Sequence, residues 1–360
     1  MGEPPPTVLV LGAGFTRAFV PDAPLLFGDF GAKELSRKFQ KFPHATRVLD
    51  AETGGRSGQE INIERLMTRL DGLMPYDRRH GAERELALLL TKLKANFVKS
   101  ITDARGKEFQ DNDLVQFARC CVTNGINCIT FNYDDVLDEA LWKVNPIHGD
   151  FRGPHWQPVW GYGFYCRSSY DLVDDAQLGS VLTSMRLIKL HGSVNWRTKL
   201  GSPQPYGLDA VVNHESWFSP FSMDRSLVPH IEDHLDPEPF IVPPVLVKSS
   251  LVEEPVLQFM WSLAYEVLEK AERVIFVGYS FPVTDMATRF LFTETLLRDK
   301  ERPDIRVVNL KSAEDEREAV RRNYREVFPE IAESQFDFQG ARNWSREFVD
   351  TFADEEQVSN

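Results

Sequence analysis

Five short apolar runs, none of them alternating with polar residues, limit what this chain can fold into more than any other feature: "TVLVLGAG", "NCITFNYD", "MRLIKLHGS", "RVIFVGYS" and "DIRVVNLK". A strand that is apolar on both faces belongs inside a sheet covered by helices on each side, as in parallel α/β proteins. Between the runs, "NIERLMTRLDGLM", "ERELALLLTKLKANFVKSI", "DDVLDEALWKV", "EEPVLQFMWSLAYEVLEKA" and "DMATRFLFTETLLRD" repeat apolar residues three and four positions apart, as helices do. The expected fold class is α/β, a Rossmann-like doubly wound parallel sheet. A helical insertion or subdomain is expected at about 33–121, and a Pro-rich insertion or lid at about 198–247. Residues 1–330 then form the main domain, and 331–360 a C-terminal extension with an acidic tail.

Polar residues fall where such a sheet binds ligands. "GAGFT" follows the first run, "NYDD" the second, "HGSVN" the third and "GYSFPVTD" the fourth, while Asn309 ends the fifth. All sit at carboxyl ends of strands, the edge where an open parallel sheet forms its crevice and helix N-termini point backbone N–H groups. Gly12 and Gly14 permit a tight turn and close approach of backbone to a pyrophosphate. The dinucleotide fingerprint nevertheless fails, because Arg17 stands where its third Gly belongs and no acidic-ended second strand follows, so an ordinary nicotinamide dehydrogenase is disfavoured. Arg17 either neutralises pyrophosphate or faces solvent. His191 ends a strand before Gly192 and Ser193, which places its imidazole at the crevice mouth. There an imidazole titrating near ~6.5 suits general-base work. Lys189, two residues earlier, is expected to face solvent or be paired.

Composition removes other classes. A formal charge of −13 argues against a broad nucleic-acid or anionic-membrane surface. Cys120, Cys121, Cys128 and Cys166 contain no C-x-x-C pair and read as intracellular thiols. With no signal-like N-terminus and no apolar run of spanning length, a cytoplasmic protein is expected. His214, His230 and His234 match no established ligand spacing, so no metal is expected. Trp142, Trp196 and Trp261 read as core aromatics.

In order and approximate spacing, "GAGFT", "FNYD", "LHGS", "VGYS" and "VVNL" resemble the sirtuin signatures G-A-G-[IV]-S, Q-N-[IL]-D, H-G, G-[TS]-S and a late strand ending in Asn. The resemblance runs from Val8 to about Leu310, and "FNYD" and "GYSFPVTD" resemble the divergent bacterial antiviral-defence branch. Two departures stand out. The two C-x-x-C pairs that hold the deacylase zinc module have no counterpart between His191 and Gly278, and "VPDAPLL" is only a loose analogue of the G-I-P-x-F-R loop.

The resemblance implies a sirtuin-like NAD-binding catalytic domain with NAD as substrate. Asn132 would contact the nicotinamide-side ribose and position the attacking water. Asp134 would orient the carboxamide, and His191 would act as base. The resemblance further implies cofactor contacts from Gly12, Ala13, Gly14, Phe15, Thr16, Gly278, Ser280 and Asn309. Tyr133 is expected to pack, Asp135 to sit in the first turn of the next helix, and Asp285 to N-cap the helix after it. Three readings follow: an NAD glycohydrolase of antiviral defence, an NAD-dependent protein deacylase, and a non-catalytic NAD or nucleotide sensor. Retention of Asn132, Asp134 and His191 disfavours the last, and the missing Cys pairs disfavour the second. A homo-oligomer formed through the helical layer is expected, and the resemblance adds a hexameric HerA-type ATPase as partner.

Overall fold

A computed structural model describes residues 6–24, 27–28, 30–54, 61–71, 82–106, 111–144, 155–163, 185–197, 210–211, 239–242, 254–282, 285–297 and 302–358. In chain order, β1 (Thr7–Leu11) and α1 (Ala13–Phe19) precede β2 (Phe27–Gly28), α2 (Ala32–Lys38), α3 (Pro43–Thr53), β3 (Ile61–Asn62), α4 (Ile63–Asp71), α5 (Ala82–Arg105) and α6 (Asn112–Thr123). Then come β4 (Asn127–Thr130), α7 (Val136–Lys143), α8 (Pro158–Gly161), β5 (Leu187–Lys189), β6 (Trp196–Arg197) and β7 (Ala210–Val211). The remainder is α9 (Pro255–Glu269), β8 (Arg273–Val277), α10 (Met286–Leu296), β9 (Asp304–Val308), α11 (Glu314–Arg325), β10 (Phe336–Asp337) and α12 (Ala341–Val358).

Six strands form one parallel sheet in the order β10-β9-β8-β1-β4-β5. The five apolar runs supply five of them, and β10 adds an edge. From β1 the chain winds outward through β4 to β5, then crosses back to β8 and winds outward the other way. In an open parallel sheet, ligands bind at the carboxyl ends beside such a reversal, here next to β1. All five residues of β1 are buried, as a central strand covered on both faces requires. Each fully buried Leu, Val, Ile or Phe contributes roughly 1.5–3 kcal/mol by leaving water.

The helical segment divides in two. From Phe30 to Ile101 its apolar residues, among them Leu35, Leu49, Leu66, Leu89 and Leu93, form a hydrophobic cluster of their own, which Val194 and Ile241 join. Helix α6 instead belongs to the main core through Leu114, Phe117 and Cys121. The C-terminal segment is drawn into that core as well. Helix α12 packs on α6 and α1, and its Trp344 and Phe348 meet Phe117 at ring distances of 6.1 and 6.0 Å. Arg342 fastens the contact with bonds to Asp111 (2.6 Å), Asp113 (2.8 Å) and the Ala18 carbonyl (3.0 Å). Of the tryptophans, Trp196 is fully buried, while Trp142 and Trp261 are half-buried against the core. Among the described residues, no helix is long and apolar enough to cross a membrane. His214, His230, His234, Cys166 and most of 198–247 lie outside the described residues.

Candidate functional site

The turn after β1 meets the turn after β8 with almost no space between them. Gly12 N–H donates to the Val277 carbonyl (3.0 Å) and Gly14 N–H to the Gly278 carbonyl (2.9 Å). A Cβ on Gly12 would lie 2.6 Å from Tyr279 Cα, and one on Gly14 would lie 2.9 Å from Gly278 Cα. Gly278 has φ +66°, and a Cβ there would stand 2.1 Å from the Phe15 nitrogen. These glycines are thus demanded by loop packing on loop, whatever else approaches them. Phe15 points away from the crevice into the core, against Phe19 (5.1 Å) and Phe117 (5.3 Å), which leaves only its backbone for a ligand. Ala13 and Arg17 are exposed.

Across β1, the residues after β4 join α1. Asn132 Nδ2 donates to the Gly12 carbonyl and to Thr16 Oγ1, both at 2.9 Å, and Thr16 Oγ1 donates to Asp134 Oδ2 at 2.8 Å. The Gly12 carbonyl can only accept, which fixes the orientation of the Asn132 amide. Its Oδ1 then meets no donor among the described residues, on a half-buried side chain at the strand edge. Asp134 accepts at its other oxygen from Val136 N–H (3.2 Å). Burial pushes its carboxyl above the usual range, opposed by the Lys189 charge, the Thr16 hydroxyl and the Val136 N–H, while Asp135 adds to the upward push. The sequence motifs therefore bring Thr16, Asn132 and Asp134 together.

His191 departs from expectation. It is 6% exposed rather than open at the crevice mouth, because Phe131 (5.5 Å) and Tyr133 (5.8 Å) pack against its ring. Phe131 in turn stacks on Tyr279 at 4.6 Å and 17°. Tyr279, Phe131, His191 and Tyr133 thus form an aromatic row across the ends of β8, β4 and β5. Tyr133 packs as expected, against Phe97 (5.3 Å), and burial pushes its hydroxyl well up. Its carbonyl accepts from Val194 N–H (2.8 Å). Gly192 has φ +77°, and a Cβ there would strike the Phe240 carbonyl at 2.2 Å. The reason is that residues 239–242 return beside His191, whose carbonyl accepts from Val242 N–H (2.9 Å).

Ser280 is exposed. Asn309 is buried, and its amide reaches the Tyr279 carbonyl (3.3 Å) while its Oδ1 takes the Leu310 N–H (2.9 Å). Asn309 thereby holds the turn after β8 in place. Asp285 and Asp135 both occupy N-cap positions without making a side-chain capping bond. Asp135 is no simple dipole acid, since its carboxylate pairs with Arg105 at 2.8 Å.

Beneath the turn lies a polar network that the motifs did not announce. Lys189 is fully buried and paired. It donates to the Asp134 carbonyl (2.6 Å) and to both Asp138 oxygens (3.0 and 3.3 Å). Asp138 also accepts from the Tyr162 hydroxyl, which Asn195 reaches at 3.5 Å. Beside it, Arg105 binds Asp135 and Glu139, and Lys143 binds Glu139 at 2.7 Å. A signal was present: Asp135, Asp138 and Glu139 repeat at helical spacing, so three acids share one face of α7.

Among the described residues, no group of three or more His, Cys, Asp or Glu is placed to hold a metal ion. Cys120, Cys121 and Cys128 are buried free thiols, and burial pushes that of Cys121 well up.

No protein-family model and no curated protein matches the chain. Solved structures of Sir2 enzymes are among the matches. One, from work on the mechanism and regulation of Sir2 enzymes, is 12% identical, covers 98% of this chain and 93% of that one, and has a TM-score of 0.39. A Sir2 with p53 peptide and NAD+ is 15% identical over 98% and 93%, at TM-score 0.38. A Sir2 homologue–NAD complex is 14% identical over 89% and 90%, at TM-score 0.34.

Proposed function

We propose that this chain is an NAD glycohydrolase, cleaving NAD to nicotinamide and ADP-ribose, and that it acts as a bacterial antiviral-defence effector by depleting the cofactor. The reading rests on the resemblance of its five motifs to sirtuin signatures. One observation carries it: Asn132 and Asp134, in the turn after β4, converge on Thr16 of α1, and β4 pairs with β5, whose end at Lys189 lies two residues before His191. Breaking the nicotinamide–ribose bond passes through an oxocarbenium-like state, so the site must align a weak nucleophile and favour positive charge on the sugar. Asn132 Oδ1, which meets no donor among the described residues, is an acceptor for a water or ribose hydroxyl, and the Asp134 carboxylate supplies negative charge. His191 is the base toward that water or a ribose hydroxyl. Nicotinamide leaves as a neutral ring, so no general acid is needed.

Gly12, Ala13, Gly14, Thr16, the Phe15 backbone, Gly278, Ser280 and Asn309 are assigned to cofactor contacts on the same reading. A homo-oligomer formed through the helical layer belongs to the same reading, and a HerA-type hexameric ATPase is the partner that the resemblance suggests. Incubating pure protein with NAD alone tests the activity. Nicotinamide release without peptide supports hydrolysis. Release only with acylated peptide assigns deacylation instead, and release in neither case assigns a sensor.

A further inference from the structure

Lys189 ends β5 with no exposure to solvent, and its three protons meet the Asp134 carbonyl at 2.6 Å and the Asp138 oxygens at 3.0 and 3.3 Å. A buried ammonium is costly unless paired, and a buried ion pair is often no more stabilising than apolar residues of the same volume. Stability alone therefore gives no reason for a lysine here. Its placement does. The peptide after Asp134 carries the chain from the β4 turn into α7, and the Lys189 bond fixes which way its carbonyl faces. The Asp134 side chain is then held toward Thr16 and the Val136 N–H.

We propose that Lys189 is a positioning residue for the crevice: seated on the Asp134 carbonyl and the Asp138 carboxylate, it fixes the 131–135 turn and brings a positive charge to the Asp134 side chain. For the role of that carboxylate the inference rests on the NAD reading above. Its geometry does not. Among the described residues, the charged groups facing Asp134 are Lys189 from β5 and Asp135 from its own turn. Lys189 opposes the upward push of burial and Asp135 adds to it. Asp138 stands behind Lys189, sharing its ammonium.

The test follows the Asp134 carboxyl by 13C NMR in chains labelled at aspartate, assigned by its loss in Asp134→Asn. Two double variants avoid stranding a buried charge: Lys189→Met with Asp138→Leu, and Lys189→Met with Asp138→Asn, the second keeping an acceptor for the Tyr162 hydroxyl. In both, Asp134 is expected to titrate about one pH unit higher than in the wild-type chain. Lys189→Arg, which keeps the charge, is expected to leave the titration in place. An unchanged titration in either folded double variant overturns the proposal, as does a Lys189→Arg chain that titrates like them. A wild-type crystal structure with Nζ beyond hydrogen-bond reach of the Asp134 carbonyl overturns it without any variant. Because the titration needs no NAD, a chain that fails to cleave NAD refutes the proposed activity and leaves this result standing.

Discussion

Arg105 Nε lies 2.8 Å from Asp135 Oδ1, with neither side chain more than 2% exposed. Arg105 ends the long helix of the helical layer, and Asp135 stands one residue after Asp134, so this ion pair ties that layer to the crevice. Arg105→Met leaves the carboxylates of Asp135 and Glu139 facing each other in the core. The expected loss is about 3–5 kcal/mol, measured by denaturant unfolding. A loss below about 1 kcal/mol would place the pair in water instead.

Gly278→Ala puts a methyl group 2.1 Å from the Phe15 nitrogen at a φ of +66°. Neither backbone can retreat without breaking the Gly14–Gly278 bond. The expected result is a fall in the thermal midpoint together with loss of NAD turnover, both checked on the same sample. An alanine chain that melts with the wild type would mean that the two turns are not in contact.

His191→Ala and Asn132→Ala are expected to lower NAD cleavage on the order of a hundredfold or more, the usual loss for a general base or an aligning group. Their effects on folding should differ. Asn132 is half-buried at the edge, whereas His191 is packed between Phe131 and Tyr133, so its removal also opens a cavity. His191→Gln fills more of that space and separates the two effects. Full turnover in pure His191→Ala would end the assignment.

Asp134→Asn has a pH signature. The folded carboxyl is raised, with burial as the largest cause, so folding favours its protonated form. Its ionisation therefore costs stability as pH rises from the ordinary carboxylate range through the folded value. The asparagine chain should melt higher than the wild type near neutrality, and the advantage should fade as pH falls toward ~4. Its turnover should fall at every pH. Thermal melts from pH 4 to 8 decide this, and a variant that is less stable at neutral pH contradicts it.

The central strands were legible because burial on both faces leaves a continuous apolar run. β10 was not, since Phe336–Asp337 is only two residues long and owes its pairing to β9. At the site, Thr16, Asn132 and Asp134, drawn from two of the motif ends, bond to one another. Burial was harder to read. Nothing local to "LHGS" says that Phe131 and Tyr133 will cover the imidazole, and nothing local to "NYDD" says that Asp135 pairs with Arg105, thirty positions earlier. Gly12 and Gly14 show the limit from the other side. A glycine pattern that suggests room for a ligand is equally what two backbones need to touch.

The position of β1 bears on how the chain emerges from a ribosome. Thr7 leaves the ribosome 266 residues ahead of Arg273, its partner on one side. Throughout that interval the nascent protein carries an unpaired edge on a largely apolar strand, a target for chaperones and for aggregation. Gly278 also arrives only then, so no truncated product released before β8 can assemble the turn against which Gly12 and Gly14 close. Translation must pass Gly278 before the two turns can close on each other.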